Sequence, residues 1–264
     1  MTRLPNAKRR LGQHFLVDQN ILGVMGRLAA LGEEDVVLEV GPGVGALTRY
    51  LADRVALVHA VELDRSLAER LTDAVGGREN VCLHFADALR LDPAILDPAP
   101  TKLVANLPYN VATPVVVESL DGLPTVRSWC VMVQLEVAER FFANRATKQY
   151  GAVSVLLQLA TRRTGFHAVS RTVFRPQPNV DSALVAFERI ELPAGWREVK
   201  RVVEGAFAHR RKTLPNSLAL AHVVTREATL EALLTLGRDP AVRAEALEPP
   251  EFVRLTEALA AAGN

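Results

Sequence analysis

The chain has 264 residues, room for one large α/β domain with a small appendage or for two modest domains. Hydrophobic residues make up 49% and charged residues 23%, which fits a soluble globular chain with a sizeable core and excludes an intrinsically disordered one. The net charge is only +1, so composition alone does not mark a nucleic-acid binder; the basic residues are nevertheless clustered, at Lys8-Arg9-Arg10, Arg162-Arg163 and His209-Arg210-Arg211-Lys212.

From the N-terminus, the first basic cluster leads into Gly12-Gln13-His14-Phe15 with no apolar run behind it, so no signal peptide is expected and a cytoplasmic location is. Apolar strand-like runs then alternate with helical patterns, which points to βαβ units and a mostly parallel sheet. Strands are expected at residues 36–40, 57–62, 81–87, 103–106, 129–134 and 183–188, and helices from Leu47, Ser66, Thr113, Glu136 and Ala152. Cys82 and Cys130 both fall inside strand-like runs and read as free thiols; two such sites make neither a disulfide framework nor a zinc cluster, so no metal site is expected. The longest apolar stretch, residues 153–160, is too short to span a bilayer, and no membrane partner is expected. Pro193-Ala194-Gly195 reads as a linker. Beyond it, Val202, Val203, Ala206 and Phe207, then Leu230, Leu233 and Leu234, then Phe252, Leu255 and Leu259 recur at helical spacing without any strand pattern. The expected organisation is a Rossmann-like α/β domain over residues 1–192 and a small all-α domain over 193–264.

The strand at 36–40 runs directly into Gly41-Pro42-Gly43-Val44-Gly45-Ala46 and then into a helix. Strand, glycine-rich turn and helix form the nucleotide cradle of open α/β sheets, with glycines where a Cβ would obstruct the ligand or bar a positive φ. Gly41, Gly43 and Ala46 also satisfy the dinucleotide pattern, so the loop by itself does not separate NAD from S-adenosylmethionine (AdoMet). Glu62, 21 residues after Gly41, is placed to accept hydrogen bonds from both ribose hydroxyls and would repel a 2′-phosphate, which argues against NADP. Asp64 better fits a helix cap. Asp87, at the end of the third strand, can accept a hydrogen bond from an adenine amino group.

The fourth strand ends in Asn106-Leu107-Pro108-Tyr109-Asn110. An adenine amine is a poor nucleophile because its lone pair is delocalised into the ring. Acceptors on the NH₂, here the Asn106 side-chain oxygen and the Leu107 carbonyl, draw the nitrogen towards sp³ and aim its lone pair at an incoming methyl carbon. Pro108 stiffens the turn, and Tyr109 offers a face on which an extruded base can stack.

These segments, in this order, resemble the ribosomal RNA adenine dimethylases, which include the small-subunit rRNA N6,N6-adenosine dimethyltransferases and, more distantly, the erythromycin-resistance methylases of large-subunit rRNA. The resemblance covers nearly the whole chain. It runs through Leu11-Gly12-Gln13-His14-Phe15-Leu16, Glu39-Val40-Gly41-Pro42-Gly43, Glu62-Leu63-Asp64, Asp87-Ala88 and Asn106-Leu107-Pro108-Tyr109-Asn110. Further on it includes Gln134-Leu135-Glu136-Val137, Phe174-Arg175-Pro176-Gln177-Pro178-Asn179-Val180-Asp181-Ser182 and Ala206-Phe207-Ala208-His209-Arg210-Arg211-Lys212-Thr213-Leu214. It implies that Gln13, His14 and Leu16 close over the methionine end of AdoMet, with Gly41 and Gly43 against it. Glu62 then takes the ribose, Asp87 the cofactor adenine, and Asn106 touches both cofactor and target. Phe174 would form the other face of a base sandwich with Tyr109. The helical tail resembles the family's RNA-contacting domain, with Arg210, Arg211 and Lys212 on phosphates. Pro215 departs from the family pattern, in which a basic residue is common, and is expected to end the helix early.

A dehydrogenase would share the glycine loop, but none of Tyr50, Tyr109 and Tyr150 has a lysine four residues on. A DNA adenine methyltransferase would carry Asp in place of Asn106. A binding module that retains the fold without activity is at odds with an intact Asn106 and Tyr109. The resemblance therefore implies an enzyme that uses AdoMet, without metal, to dimethylate two adjacent adenosines in the 3′-terminal hairpin loop of small-subunit (16S) rRNA. S-adenosyl-L-homocysteine would be the co-product, the 30S particle the partner, and the protein a monomer. The alternative is a large-subunit (23S) rRNA methylase of the macrolide-resistance type.

Overall fold

The computed structural model describes residues 13–262; the basic cluster at Lys8-Arg9-Arg10 and the start of the Leu11-Gly12 motif lie outside them. The chain divides into two compact units, one formed by the residues up to Ala138 with Arg163–Arg189, the other by Glu139–Arg162 with Ile190–Asn264.

The first unit carries a seven-stranded sheet among the described residues. Its strands are β2 (Val36–Val40), β3 (Leu57–Val61), β4 (Val81–His84), β5 (Lys102–Asn106), β6 (Ser128–Gln134), β7 (Thr161–Val169) and β9 (Ser182–Arg189), in the order β4-β3-β2-β5-β6-β9-β7. β2 through β6 pair in parallel, and β9 joins β6 antiparallel with Trp129 opposite Phe187. β2 has every residue buried, the signature of a strand covered on both faces. Helices α1 (Gln19–Leu28), α2 (Ala46–Ala52), α3 (Ala68–Val75), α4 (Ala112–Gly122) and α5 (Leu135–Phe141) lie between the strands in sequence. The chain winds outward from β2 through β3 and β4, then returns to the other side of β2 at β5. That reversal opens a crevice at the carboxyl ends of β2 and β5, where open α/β sheets bind their ligands. The α/β class expected from the sequence holds.

Several elements were not legible beforehand. α1 contains Gly23 and Gly26, which weaken its helix signal, yet Asp18 caps it through a bond from the Asn20 amide (2.8 Å). Gly26 is required because the Tyr50 ring fills the space a Cβ would occupy. The two-residue strands β1 (Phe15–Leu16) and β8 (Phe174–Arg175) pair antiparallel, Leu16 opposite Phe174. β7 is an outer strand with mostly exposed residues, so it shows no apolar alternation. β3 and β4 stop short of the expected ends and leave Glu62 and Asp87 in the loops that follow.

His59 on β3 is 1% exposed. Its Nε2–H donates to the Pro98 carbonyl (2.9 Å), so Nδ1 is left to accept from His84 Nε2 (3.1 Å). Burial, then the neighbouring His59, hold His84 below the ordinary histidine range. The folded chain therefore takes up this proton less readily than the unfolded chain. Stability from this source is intact above about pH 6.5, the ordinary histidine value, and falls as pH drops below it. Denaturant midpoints between pH 7.5 and 5 should show a steeper acid loss for wild type than for His84→Gln, which keeps a donor towards His59. Equal slopes would remove the pair from the account.

In the second unit, α6 (Ala152–Ala160) packs on α7 (Trp196–Ala208) and α10 (Pro249–Ala262), α8 (Leu214–Leu220) on α7 and α9 (Arg226–Thr235), and α9 on α10. The expected organisation has a single boundary at 192/193, whereas this unit also takes in Glu139–Arg162. The reason is α6, whose Val153, Val155, Leu156, Leu157 and Leu159 are buried on all sides and need helical neighbours to cover them. Tyr150 is fully buried, donates to the Leu247 carbonyl (2.8 Å) and meets Phe207 edge-on at 5.7 Å. Of the apolar residues at helical spacing in α9, Leu233 is buried with Ala232, while Leu234 is 65% exposed. Among the described residues, no helix is long and apolar enough to cross a membrane.

Candidate active site

The glycine turn after β2 adopts the backbone its sequence requires. Gly41 and Gly43 have φ of +76° and +59°, and Gly45, at +77°, caps α2. Close approach matters as much as φ. A Cβ on Gly41 would lie 3.1 Å from Pro108 Cδ, and one on Gly43 would lie 3.1 Å from the Phe15 ring. Gln13, His14, Phe15 and Leu16 thus form one wall of a cleft whose floor is Gly41–Val44 and whose far side is Asn106–Tyr109. A second hollow, sharing Gln13 and Pro108 with the first, is lined by Glu62, Ala86, Asp87 and Ala88. The expected cofactor residues Gln13, His14, Leu16, Gly41, Gly43, Glu62, Asp87 and Asn106 all line this pair of hollows.

Glu62 is 6% exposed and is held at both oxygens, Oε2 accepting from the Gly43 amide (3.0 Å) and Oε1 from the Asp64 amide (2.8 Å). Each oxygen keeps a second lone pair, so the carboxylate is oriented and can still accept from a diol. Burial, with Asp64 adding to it, raises its pKa above the usual carboxylate range despite those amides. Asp64 caps the turn that precedes α3 through the Ser66 amide (3.1 Å), as expected. It also accepts from Gln13 Nε2 (3.0 Å), which ties the N-terminal segment to the end of β3. Asp87 turns one oxygen to the Leu89 amide (3.0 Å) in its loop.

At the end of β5, Asn106 Nδ2 donates to the His14 carbonyl (3.2 Å). That bond commits the nitrogen and leaves Oδ1 as the acceptor. The Leu107 amide donates to the Met132 carbonyl (3.1 Å), which fixes the Asn106–Leu107 peptide at the end of β5. Tyr109 is pinned by a 2.7 Å hydrogen bond between its hydroxyl and Ser182 Oγ, and burial raises its pKa. His14 Nδ1–H donates to the Pro176 carbonyl (2.8 Å), and the imidazole lies 5.3 Å from the Tyr109 ring at 31°.

One expectation fails here. Phe174 does not face Tyr109 across the cleft; it is 0% exposed and shares the core with Leu16, Leu22, Met25 and Leu184. Pairing of β8 with β1 sets it beside Leu16 in the core, and the ring that accompanies Tyr109 in this structure belongs to His14. The 174–182 segment serves the site through Pro176 and Ser182 instead.

Two contributors are hard to find from sequence. Ser182 leaves no local signal, because its role depends on a contact across 73 residues. Glu39 leaves one, a carboxylate inside an otherwise apolar strand. It is 1% exposed, lines the cleft with Gly41, Gly43 and Asn106, and its Oε2 has no hydrogen-bond partner. A glycine cradle that a Cβ would fill, an oriented carboxylate for a diol and an unsatisfied buried carboxyl suit a ribose-bearing cationic ligand such as AdoMet.

In the second unit, the three predicted phosphate contacts separate. Arg210 donates to the Tyr150 carbonyl (2.7 Å) and the Lys148 carbonyl (3.3 Å) and lies 3.8 Å from Glu245, so it fastens its own unit. Arg211 and Lys212 are exposed. Pro215 does not shorten the preceding helix: α7 already ends at Ala208, and Pro215 lies buried in the first turn of α8, where its missing N–H costs nothing.

Residues 5–260 match the family model described as ribosomal RNA adenine dimethylase. A protein of Rubrobacter xylanophilus named ribosomal RNA small subunit methyltransferase A is 50% identical over 96% of this chain and 95% of its own length. A protein of the same name from Ligilactobacillus salivarius is 40% identical over 97% of this chain and 91% of its own. Among solved structures, a dimethyladenosine transferase from Plasmodium falciparum superposes with a TM-score of 0.78 at 24% identity, covering 95% of this chain and 98% of that one. The 23S rRNA methyltransferase ErmE superposes with a TM-score of 0.66 at 29% identity, covering 93% and 99%.

Proposed function

The chain belongs to the ribosomal RNA adenine dimethylase family, and we propose that it uses AdoMet to dimethylate N6 of two adjacent adenosines in the 3′-terminal hairpin loop of small-subunit (16S) rRNA. The observation that carries this reading is the Asn106–Tyr109 segment, with the amide fixed by the His14 carbonyl and the ring fixed by Ser182, at the mouth of a glycine cradle. The small-subunit names of the relatives favour it over the large-subunit alternative, for which the likeness to ErmE speaks.

Gln13, His14, Leu16, Gly41 and Gly43 would hold the methionine end of AdoMet, Glu62 the ribose and Asp87 the adenine. When bound, its sulfonium supplies a methyl group that is already activated, so the chain needs neither a strong base nor a metal. Asn106 Oδ1 and the Leu107 carbonyl accept from the target amine and turn its lone pair towards the donor, while Tyr109 supports the base. After one methylation the amine keeps a single hydrogen, so one acceptor must go unmatched in the second step. A loop substrate fits, because unpaired bases can be splayed into a pocket at low unstacking cost. The setting is the cytoplasm, the substrate form the 30S particle and the active species a monomer. Primer extension on 16S rRNA from a deletion strain, with and without the purified protein and AdoMet, tests the site: two adjacent stops are expected, and their absence would refute it.

RNA affinity should come in part from Arg211 and Lys212. The R211A/K212A double variant is expected to bind the 30S particle more weakly and to lower the slope of log affinity against log salt by about 1 for each lost phosphate contact. AdoMet affinity should stay unchanged. R210A should instead lower the melting temperature, since it releases the Lys148 and Tyr150 carbonyls. Wild-type salt dependence in the double variant would move the RNA contacts elsewhere.

A further inference from the structure

Residues 161–180 hold four arginines and no acid, in a chain whose net charge is only +1. Two of them, Arg171 and Arg175, fall in the segment that joins β7 to β9. That segment touches the candidate site twice, the Pro176 carbonyl accepting from the His14 imidazole (2.8 Å) and Ser182 holding the Tyr109 hydroxyl (2.7 Å). Neither arginine has a part in holding the cofactor or the target amine.

The fold presents both side chains outward. Pairing of β8 with β1 sends Phe174 into the core, so the alternation of extended backbone turns the next residue, Arg175, to the surface, in register with Phe15 of the cleft wall. Arg175 Nη1 donates to the Thr172 carbonyl (3.1 Å) and the Phe174 carbonyl (2.9 Å), and Arg171 Nη1 donates to the Asn179 carbonyl (2.9 Å). The Arg171 amide donates to Asp181 (2.9 Å), the acid that closes the segment. Each guanidinium is thus oriented through one nitrogen and keeps Nε and Nη2 for an outside acceptor. Other arginines are paired with acids, Arg78 with Asp53, Arg145 with Glu248 and Arg238 with Glu251. Arg171 and Arg175 make no ion pair among the described residues. Fixed forks of positive charge without a carboxylate suit an external phosphate.

We propose that Arg171 and Arg175 hold backbone phosphates of the RNA strand that flanks the target adenosine. A strand whose base is splayed against Tyr109 must carry its backbone over the rim of the cleft, and the 170–180 segment forms that rim next to Tyr109 and His14. Such contacts set the register of the strand on the site without reading its sequence. This deepens the substrate reading above and rests on it.

The test is binding of the full chain to small-subunit particles from cells lacking this protein, across a salt series, for wild type, R171Q/R175Q and R171K/R175K. R127Q is the control, because Arg127 is exposed and precedes β6, at the sheet edge opposite the cleft. R171Q/R175Q should lower the slope of log affinity against log salt by about 1.4, the value for two single-strand phosphates, and weaken binding about ten-fold at physiological salt. R171K/R175K keeps both charges and should keep the wild-type slope, with only part of the affinity lost. R127Q should match wild type, and AdoMet affinity should be the same in all four proteins. At saturating particle the single-turnover rate of R171Q/R175Q should stay within a few-fold of wild type, since phosphates are held alike in ground and transition states. A wild-type slope in R171Q/R175Q, or an equal change in R127Q, would overturn the proposal alone. So would equal affinity losses in the glutamine and lysine variants with lowered melting temperatures, which would make the arginines fasteners of their own loop. Failure of wild type to bind or methylate small-subunit particles would overturn the substrate reading beneath it.

Discussion

Asn106→Ala is expected to lower the single-turnover rate of methyl transfer by about 100-fold or more, with 30S affinity changed by no more than a few-fold. The scale is that of removing one preorganised polar group from a transition state, on the order of 3 kcal/mol. The loss should fall on the chemical step because the acceptor bond strengthens as the amine pyramidalises. Asn106 has a second job, since its Nδ2 holds the His14 carbonyl at 3.2 Å. Asn106→Asp separates the two: it keeps an acceptor at Oδ1 and loses the donor to His14. It should transfer methyl groups faster than the alanine variant while loosening the N-terminal wall, seen as faster amide exchange at residues 14–16. Wild-type single-turnover rates in Asn106→Ala would remove the acceptor from the mechanism.

Gly43→Val should abolish measurable AdoMet binding, a loss of at least about 100-fold, in a protein that still folds. Its φ of +59° disfavours a β-branched side chain, and the new Cβ would press on the Phe15 ring at 3.1 Å, in the wall that closes the cleft. Backbone strain alone is controlled by Gly77→Val, where φ is +68° and nothing lies within 4 Å of the added Cβ. Both variants should lose stability, Gly43→Val the more because of its contact with Phe15, and only Gly43→Val should lose the cofactor. Unchanged AdoMet affinity in folded Gly43→Val, read by calorimetry, would detach the glycine turn from cofactor binding.

What the sequence disclosed and what it concealed follow one physical line. β2 and the glycine turn were legible because an all-buried strand and positive-φ glycines both leave local marks. Glu62 and Asp87 were legible because strand ends in a wound sheet meet at one edge. The exposed outer strand β7 and the glycine-bearing α1 leave no such marks, since tertiary packing, not propensity, holds them. The inward burial of Phe174 depends on the β1–β8 pairing, between segments about 160 residues apart, and no local pattern encodes it. The same holds for Ser182 on Tyr109 and for α6, whose buried sides need α7 and α10.

The most direct test of the central claim is methyl transfer from labelled AdoMet to purified small subunits, large subunits and a short DNA duplex, all from cells lacking this protein, followed by nucleoside mass spectrometry. The account predicts N6,N6-dimethyladenosine in small-subunit rRNA, two residues per particle at completion, and no label in the other two substrates. Label in large-subunit RNA or DNA with none in small-subunit RNA would contradict it.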